Sequence, residues 1–229
     1  MTIFNSSSMR SVYKYLPREF VPALLEGRIL FRNLVYFKRL ERDTRWDVFE
    51  GGHIDAPDHD VHMDNLTTGK RITGPFVFHN TLEYPDRVFC FCTSLSLSLE
   101  MRKYGTACVE IVDVDAFSRR IELQLTRYGR IVRLGRPILQ ARPIVYYDQT
   151  KAAPEWINIK NPRDLPFVKR TKFSSDQEFR FVFARRRGYE LKQVVHMDRR
   201  EIDEGIETKP SKDTIVEIGS IRDIAREVS

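Results

Sequence analysis

The stretch FSSDQEFRFVF, residues 173–183, decides how this chain folds. Phe179, Phe181 and Phe183 recur at every second position, the period of a β-strand with one apolar face. Glu178, Arg180 and Val182 then fall opposite them, and the simplest expectation is a two-faced strand whose second side is wet. The sharper expectation makes Glu178 a working carboxylate. Asp176 stands two residues earlier and shares that face if the strand already begins there.

Outward from this strand, the rest of the chain reads as a mixture of short elements. VYKYL (12–16) has a strand pattern, and PREFVPALLEG opens a helix whose natural stop is Gly27. A second strand, ILF (29–31), follows at once. RVFCFCTS (87–94) is the most strand-like run, bounded by Pro85-Asp86, and LSLSLEMRKYG beyond it reads as a helix ended by Gly105. TACVEIVD (106–113) is expected as a buried strand, DAFSRRIELQL as a helix, and RPILQARPIVYYD as further extended chain. The region 148–167 carries three prolines and reads as a loop. ARRRGYELKQVVHM suggests a strand pair about Gly188. TIVEIGSIRDIAREV suggests a strand and then a short helix capped by Ser220.

The 42–84 segment lacks periodicity and is rich in Asp, His, Gly and Pro, so it is expected as a long irregular excursion with at most a short strand at PFVFH. Strands outnumber helices without a regular β-α alternation. The expected fold class is therefore α+β, one domain over 1–229 built on a central, mostly antiparallel split sheet with flanking short helices.

Composition narrows the functional classes. A 41% hydrophobic content supports a core, and 38 basic against 32 acidic residues leave a net charge of +6, which favours phosphate-rich partners such as nucleic acid. Cys90, Cys92 and Cys108 are too few for a disulfide framework and read as reduced, buried thiols. The start MTIFNSSSMRSVYK lacks a signal-peptide core, and no window nears the roughly 20 apolar residues of a membrane span. A cytoplasmic protein with no membrane partner is expected. Glycine-rich phosphate loops and a G-x-S-x-G elbow are absent from the sequence.

Two clusters carry possible chemistry. GGHIDAPDHDVHMDN gathers His53, His59 and His62 beside Asp55, Asp58, Asp60 and Asp64, residue types that suit a divalent metal but without a known ligand spacing. A solvated acidic loop is the simpler alternative, and no metal is assigned. Basic residues gather at Lys169, Arg170 and Lys172, at Arg185, Arg186 and Arg187, and at Arg199 and Arg200, in the half that holds Glu178. Lys172, Arg180, Arg185, Arg186 and Arg187 are the candidates for contact with nucleic acid or another acceptor. Ordinary solvated turns are the competing reading.

Taken in order, VYKYLPREFVPALLEGRILFRNLVYF, RWDVFEG (45–51), FCFCTSLSLSLEMRKYG and DQEFRFVF resemble a bacterial and phage family of unknown function. Its landmarks are an opening "YKY" strand with "nGrl.f", then "fnDpfEg", a "cFs" strand leading into "lMW.hYg", and a late "EkEyR" strand. This sequence departs at Arg45-Trp46 and at Leu99–Arg102. The layout also resembles the ADP-ribosyltransferase fold, in which a first strand offers His or Arg to NAD, a second Ser, Thr or Tyr, and a late strand Glu. Carried over, the resemblance implies Lys14 or Tyr15 at the first position, Thr93 or Ser94 at the second and Glu178 at the third. Tyr13 or Tyr15 would stack on nicotinamide, and Asp176 would orient the acceptor.

The leading expectation is an NAD-dependent ADP-ribosyltransferase-like enzyme, a toxin or phage-conflict factor that modifies nucleic acid or a nucleic-acid-associated protein through Glu178. The alternatives are a non-catalytic nucleic-acid- or protein-binding module of the same fold, and a metal-dependent hydrolase or nuclease built on His53–Asp64.

Overall fold

The computed structural model describes residues 11–40, 49–127, 137–151, 158–197 and 212–228. Arg45, Trp46, Asp47, Arg199 and Arg200 lie outside the described residues. Strand β1 (Val12–Leu16) leads through a 3-10 turn into α1 (Val21–Leu25), where Pro22 sits in the first turn. β2 (Arg28–Asn33) and α2 (Leu34–Leu40) follow; the sequence pattern had not suggested the second helix. The supposed excursion is built of strands: β3 (Gly52–Asp55), β4 (Val61–Asp64), β5 (Arg71–Gly74) and β6 (Val77–Leu82).

β7 (Val88–Ser94) and β8 (Ala107–Ile111) form as expected, but the segment between them winds only as a 3-10 turn over Leu99–Tyr104. Helix α3 (Val114–Leu125) is capped by the Asp113 carboxylate, which accepts from the Ala116 N–H at 2.8 Å. It buries Val114, Phe117, Ile121 and Leu125, three and four residues apart, as an amphipathic helix does. β9 (Gln140–Pro143), β10 (Val145–Tyr147), β11 (Val168–Arg170), β12 (Glu178–Ala184), β13 (Leu191–His196), β14 (Thr214–Glu217) and β15 (Ala225–Val228) complete the described strands.

The architecture is mixed α and β, with every described strand pair antiparallel except β10 with β11. An eight-stranded sheet runs β14-β2-β7-β1-β8-β15, with β12 against the second edge of β7 and β9 outside β12. β7 is where the sheet divides. Along its length it pairs with β12, whereas its other edge meets β2 at Phe89 and Cys90 and β1 only at Ser94. One face of this sheet carries Phe89, Phe91, Phe179, Phe181 and Phe183 into a core closed by α1, α3 and the Ile218–Ile224 segment. The other face is covered by a second layer that contains the three-stranded sheet β13-β6-β3 and the parallel pair β10-β11.

Two local expectations are overturned by pairing across the chain. β12 and β13 do not form a hairpin about Gly188, because β12 is taken up by β7 and β9 while β13 joins β6 in the covering layer. The terminal AREV is a strand, not a helix. Its backbone groups bond to β8, and the Ser220 hydroxyl accepts from Arg222 N–H at 3.5 Å in a turn and donates to the Leu25 carbonyl at 3.4 Å.

Gly27 shows how tightly the helix-to-strand corner is made. It lies at φ 84, and a Cβ there would stand 1.8 Å from the Gly219 carbonyl oxygen. Gly69, at φ 68 in the β4–β5 loop, has open space around it. Gly27→Ala is expected to cost about 2 kcal/mol or more, against about 1 kcal/mol for Gly69→Ala, where only the left-handed backbone is strained. Urea-unfolding midpoints at constant m-value measure both.

Candidate functional site

Every residue of β12 is buried, so the strand part of FSSDQEFRFVF, from Glu178 onward, has no wet face. The side opposite the phenylalanines carries a charge cluster sealed between the sheet and its covering layer. Arg180 is 0% exposed, which in a protein interior demands paired acceptors for the whole guanidinium. All five of its N–H groups find one. Nε donates to Glu178 Oε1 at 2.6 Å and Nη2 to Glu178 Oε2 at 3.1 Å, a bidentate pair. On its other side Nη1 and Nη2 donate to the two oxygens of Glu50, the latter at 3.1 Å, and Nη1 also donates to the Pro166 carbonyl at 2.8 Å.

Lys169 supplies the fourth charge. Its Nζ lies 3.3 Å from Glu178 Oε2 and 3.9 Å from Glu50 Oε2, so two cations balance two carboxylates. Burial pushes the Glu178 carboxyl upward, but Arg180 and Lys169 outweigh it and hold the group well below the usual carboxylate range. Burial likewise opposes the charge on Arg180, and Glu178 and Glu50 drive its pKa far above the ordinary value. Two acidic and two basic side chains leave the cluster neutral in formal charge.

Strand register sorts the other candidates. Ser94 stands directly opposite Glu178 on one side and Tyr13 on the other, so Tyr13, Ser94 and Glu178 form one row across three adjacent strands on a common face. Tyr15 belongs to the same face and fixes the neighbouring turn, its hydroxyl accepting from Ser98 N–H at 2.7 Å and donating to the Ser98 carbonyl at 3.0 Å. Lys14 and Thr93 project to the opposite face. Thr93 donates to the Phe179 carbonyl at 3.0 Å, within the sheet. Lys14 reaches into the division of the sheet, where its Nζ donates to the Cys92 carbonyl at 2.8 Å and lies 4.7 Å above the Phe91 ring. Burial lowers its pKa.

Asp176 is not on the strand of Glu178. It ends a 3-10 turn (Thr171–Asp176), and Gln177, left-handed at φ 41, swings the chain into β12. The Asp176 carboxylate accepts from the Tyr104 hydroxyl at 2.9 Å and faces Lys103 at 3.7 Å, while its carbonyl accepts from the Ser94 hydroxyl at 3.1 Å. Ser94 is 1% exposed and Glu178 8%. The row is closed in this conformation.

The basic residues divide into two groups. Lys172 lies 4.8 Å from the half-buried Phe173 ring, which Lys169 at 4.9 Å and Arg170 at 5.8 Å also approach, and of these three Lys169 contacts Glu178. Arg185, Arg186 and Arg187 follow the far end of β12, whose seven residues separate them from Glu178 by about 20 Å. Arg187 is held by Glu190 and Tyr84, Arg185 donates to Thr214 Oγ1, and Arg186 is exposed. The three therefore do not rim Glu178. Arg180, expected at the surface, is interior.

His53, His59 and His62 do not converge. His53 is buried in β3, His59 pairs with Asp58 at the surface, and His62 bonds Thr73 on the β4–β5 hairpin. Among the described residues no group of three or more His, Cys, Asp or Glu side chains is placed to hold a metal. The reasoning from sequence missed Glu50, although it lies in RWDVFEG. A strand that buries an arginine among phenylalanines needs more than its own neighbour's carboxylate, and that need was the available signal.

Comparison with protein-family models, with curated proteins and with solved structures finds no match. No helix among the described residues is long and apolar enough to cross a membrane.

Removing the guanidinium leaves two buried carboxylates facing each other beside one lysine. Arg180→Met is expected to lose about 3–5 kcal/mol by urea unfolding at neutral pH. Arg186→Met, on an exposed turn, is expected to stay within about 0.5 kcal/mol of wild type. Because the folded-state pKa of Glu178 is depressed, its contribution is fully present above its ordinary value of 4.5 and is lost only as pH falls below that value toward the folded one.

Proposed function

We propose that this chain is an NAD-using ADP-ribosyltransferase-like enzyme of the bacterial and phage family whose landmarks it resembles, with Glu178 as its carboxylate. One observation carries this reading. Three strands widely separated in sequence, β1, β7 and β12, are neighbours in the sheet, and Tyr13, Ser94 and Glu178 meet in register on one face. These are the strands to which the resemblance assigned the first, second and late positions of an NAD site.

In the reaction, the bond between nicotinamide and C1′ of its ribose breaks, nicotinamide leaves with the electron pair, and an acceptor oxygen or nitrogen bonds to C1′. Glu178 would stabilise the positive ribose and accept a hydrogen bond from its hydroxyl. A carboxylate held this strongly ionised is a poor base, so the acceptor's proton passes to solvent rather than to Glu178. Ser94 would bond the ribose and Tyr13 would stack on nicotinamide. Thr93 takes no part, since its hydroxyl is spent within the sheet. Tyr104 and Lys103 hold Asp176 where it would orient the acceptor, with Lys172 as the nearby contact for an anionic one.

A second reading, a non-catalytic binding module of the same fold, is favoured by a different observation. Both oxygens of Glu178 are already engaged by Arg180 and Lys169, and two adjacent cations oppose a developing positive charge.

Purified protein incubated with NAD labelled in the adenosine half, with and without a bacterial extract, separates the two. Glu178→Gln and Glu50→Gln both break the buried cluster, but only the first removes the carboxylate proposed for catalysis. Nicotinamide release or label transfer by wild type, lost at least 100-fold in folded Glu178→Gln and largely kept in folded Glu50→Gln, is expected. No release or transfer by folded wild type would hand the case to the binding module.

A further inference from the structure

All five histidines of the chain, His53, His59, His62, His79 and His196, lie between β3 and β6 or in β13, and none lies in the eight-stranded sheet. Two of them are built into the covering layer in a way that suits only the neutral ring. His53, on β3, is 0% exposed, lies against the tilted Tyr147 ring at 4.3 Å between centroids, and has no hydrogen-bond partner among the described residues for either ring nitrogen. Asp55, two residues along the strand, is influenced by His59 and does not compensate it. His79, on β6, has a buried Nε2 that also lacks a partner among the described residues, and its ring stands perpendicular to Phe49 at 5.5 Å between centroids.

The groups acting on His79 are all basic: Lys38 from α2, His196 and Lys192 from β13, and His53 from β3. His196 stacks on it at 6.3 Å. No carboxylate stands among them, so a proton on His79 is a buried charge with cations for company, and a proton on His53 is a buried charge without a compensating partner among the described residues. Burial, the leading cause in both, lowers His53 and His79 from the ordinary 6.5 to about 4. An opened layer would bind these protons between pH 6.5 and about 4, whereas the closed layer would not, so closure weakens as pH falls through that window.

The strand carrying His53 is also the one that positions Glu50. Glu50 lies two residues before β3, in a turn in which Gly52 N–H donates to the Phe49 carbonyl at 2.7 Å. We propose that the β3-β6-β13 layer is an acid-releasable cover: protonation of His53 and His79 detaches it, withdraws Glu50 from Arg180 and uncovers Glu178 while the eight-stranded sheet stays folded. The main sheet holds no histidine, and its core is apolar.

Hydrogen-exchange mass spectrometry of the full chain, from pH 7 to pH 4.5 and corrected for intrinsic exchange, tests it. Peptides covering 77–82 and 191–196 are expected to lose protection by roughly 20-fold per histidine between pH 7 and pH 5. Peptides covering 88–94 and 178–184 should keep most of theirs. The doubly substituted His53→Phe, His79→Asn chain should lose this pH dependence. If that chain fails to fold, the wild-type series still decides: equal protection at pH 7 and pH 5 in the cover, or simultaneous loss in cover and main sheet, overturns the proposal.

Discussion

An arginine sealed at the centre of a protein sets conditions that the rest of the molecule must meet. Arg180 is fully buried on the middle of a β-strand, and its guanidinium cannot shed its proton. Acceptors must therefore be brought to it. One carboxylate comes from two residues away on the same strand, but the other, Glu50, is 130 residues distant in sequence, and the Pro166 carbonyl and Lys169 arrive from a third segment. The covering layer is thus not only packed against the sheet by Leu34, Leu82, Ile144, Leu165 and Phe167 but also fixed in place by the need to satisfy a charge. Such a cluster adds less net stability than an apolar plug of equal volume, since desolvation consumes most of the attraction. Its effect is selective: a layer docked one register away leaves a bare ion.

The same sheet contains a second polar compromise. β1 and β2 diverge from β7, so the stretch of β7 edge between Cys90 and Ser94 has no strand beside it among the described residues. Lys14 reaches across the opening and gives the Cys92 carbonyl the donor that a neighbouring strand would have supplied. The Phe91 ring beneath the ammonium offsets part of the cost of burying it. Divided sheet, inserted lysine and opposed carboxylate are consequences of one another, because closing the opening would expel Lys14 and bring β2 across the Ser94 row.

How far these features were visible in the sequence depends on what each local pattern encodes. VYKYL, RVFCFCTS and the helix 114–125 declare themselves by period, and the structure keeps them almost to the residue. FRFVF declares itself as a strand too, but alternation cannot tell whether the charged side faces water or a second protein layer. Only the partners decide that, and they are remote. The same limit explains ARRRGYEL, whose turn chemistry is real and whose strand partner nevertheless lies in another sheet. In 49–82 the polar strands β4 and β5 leave most residues exposed and show little apolar rhythm, so a region of genuine strands resembled a loop. The row of Tyr13, Ser94 and Glu178 was legible as three separate residues. Which members of Tyr13/Lys14 and Thr93/Ser94 share a face was not, because a one-residue change in register reverses the answer.

The closed cluster and the proposed chemistry make opposite demands on Glu178. Holding Arg180 requires both of its oxygens; stabilising a cationic ribose requires at least one of them to face outward with its field unbalanced by neighbours. The four charges sum to zero, so in the closed conformation little negative potential is left to act at the Ser94 row. Withdrawal of Glu50 alone would worsen this, since it leaves Arg180 and Lys169 sharing a single carboxylate. Chemistry at Glu178 therefore needs Lys169 to move with the cover, leaving Arg180 as the one remaining partner that keeps the carboxylate oriented. Lys169 is suited to that movement: it lies on β11, which packs against β3 and follows directly on the Leu165–Phe167 turn that supports Arg180 from the covering side. A layer that carries both Glu50 and Lys169 away from the sheet leaves a one-to-one Arg180–Glu178 pair facing solvent, in which Arg180 Nε and Nη2 still hold both carboxylate oxygens, so one of those two bonds must be exchanged before Glu178 has an oxygen to offer.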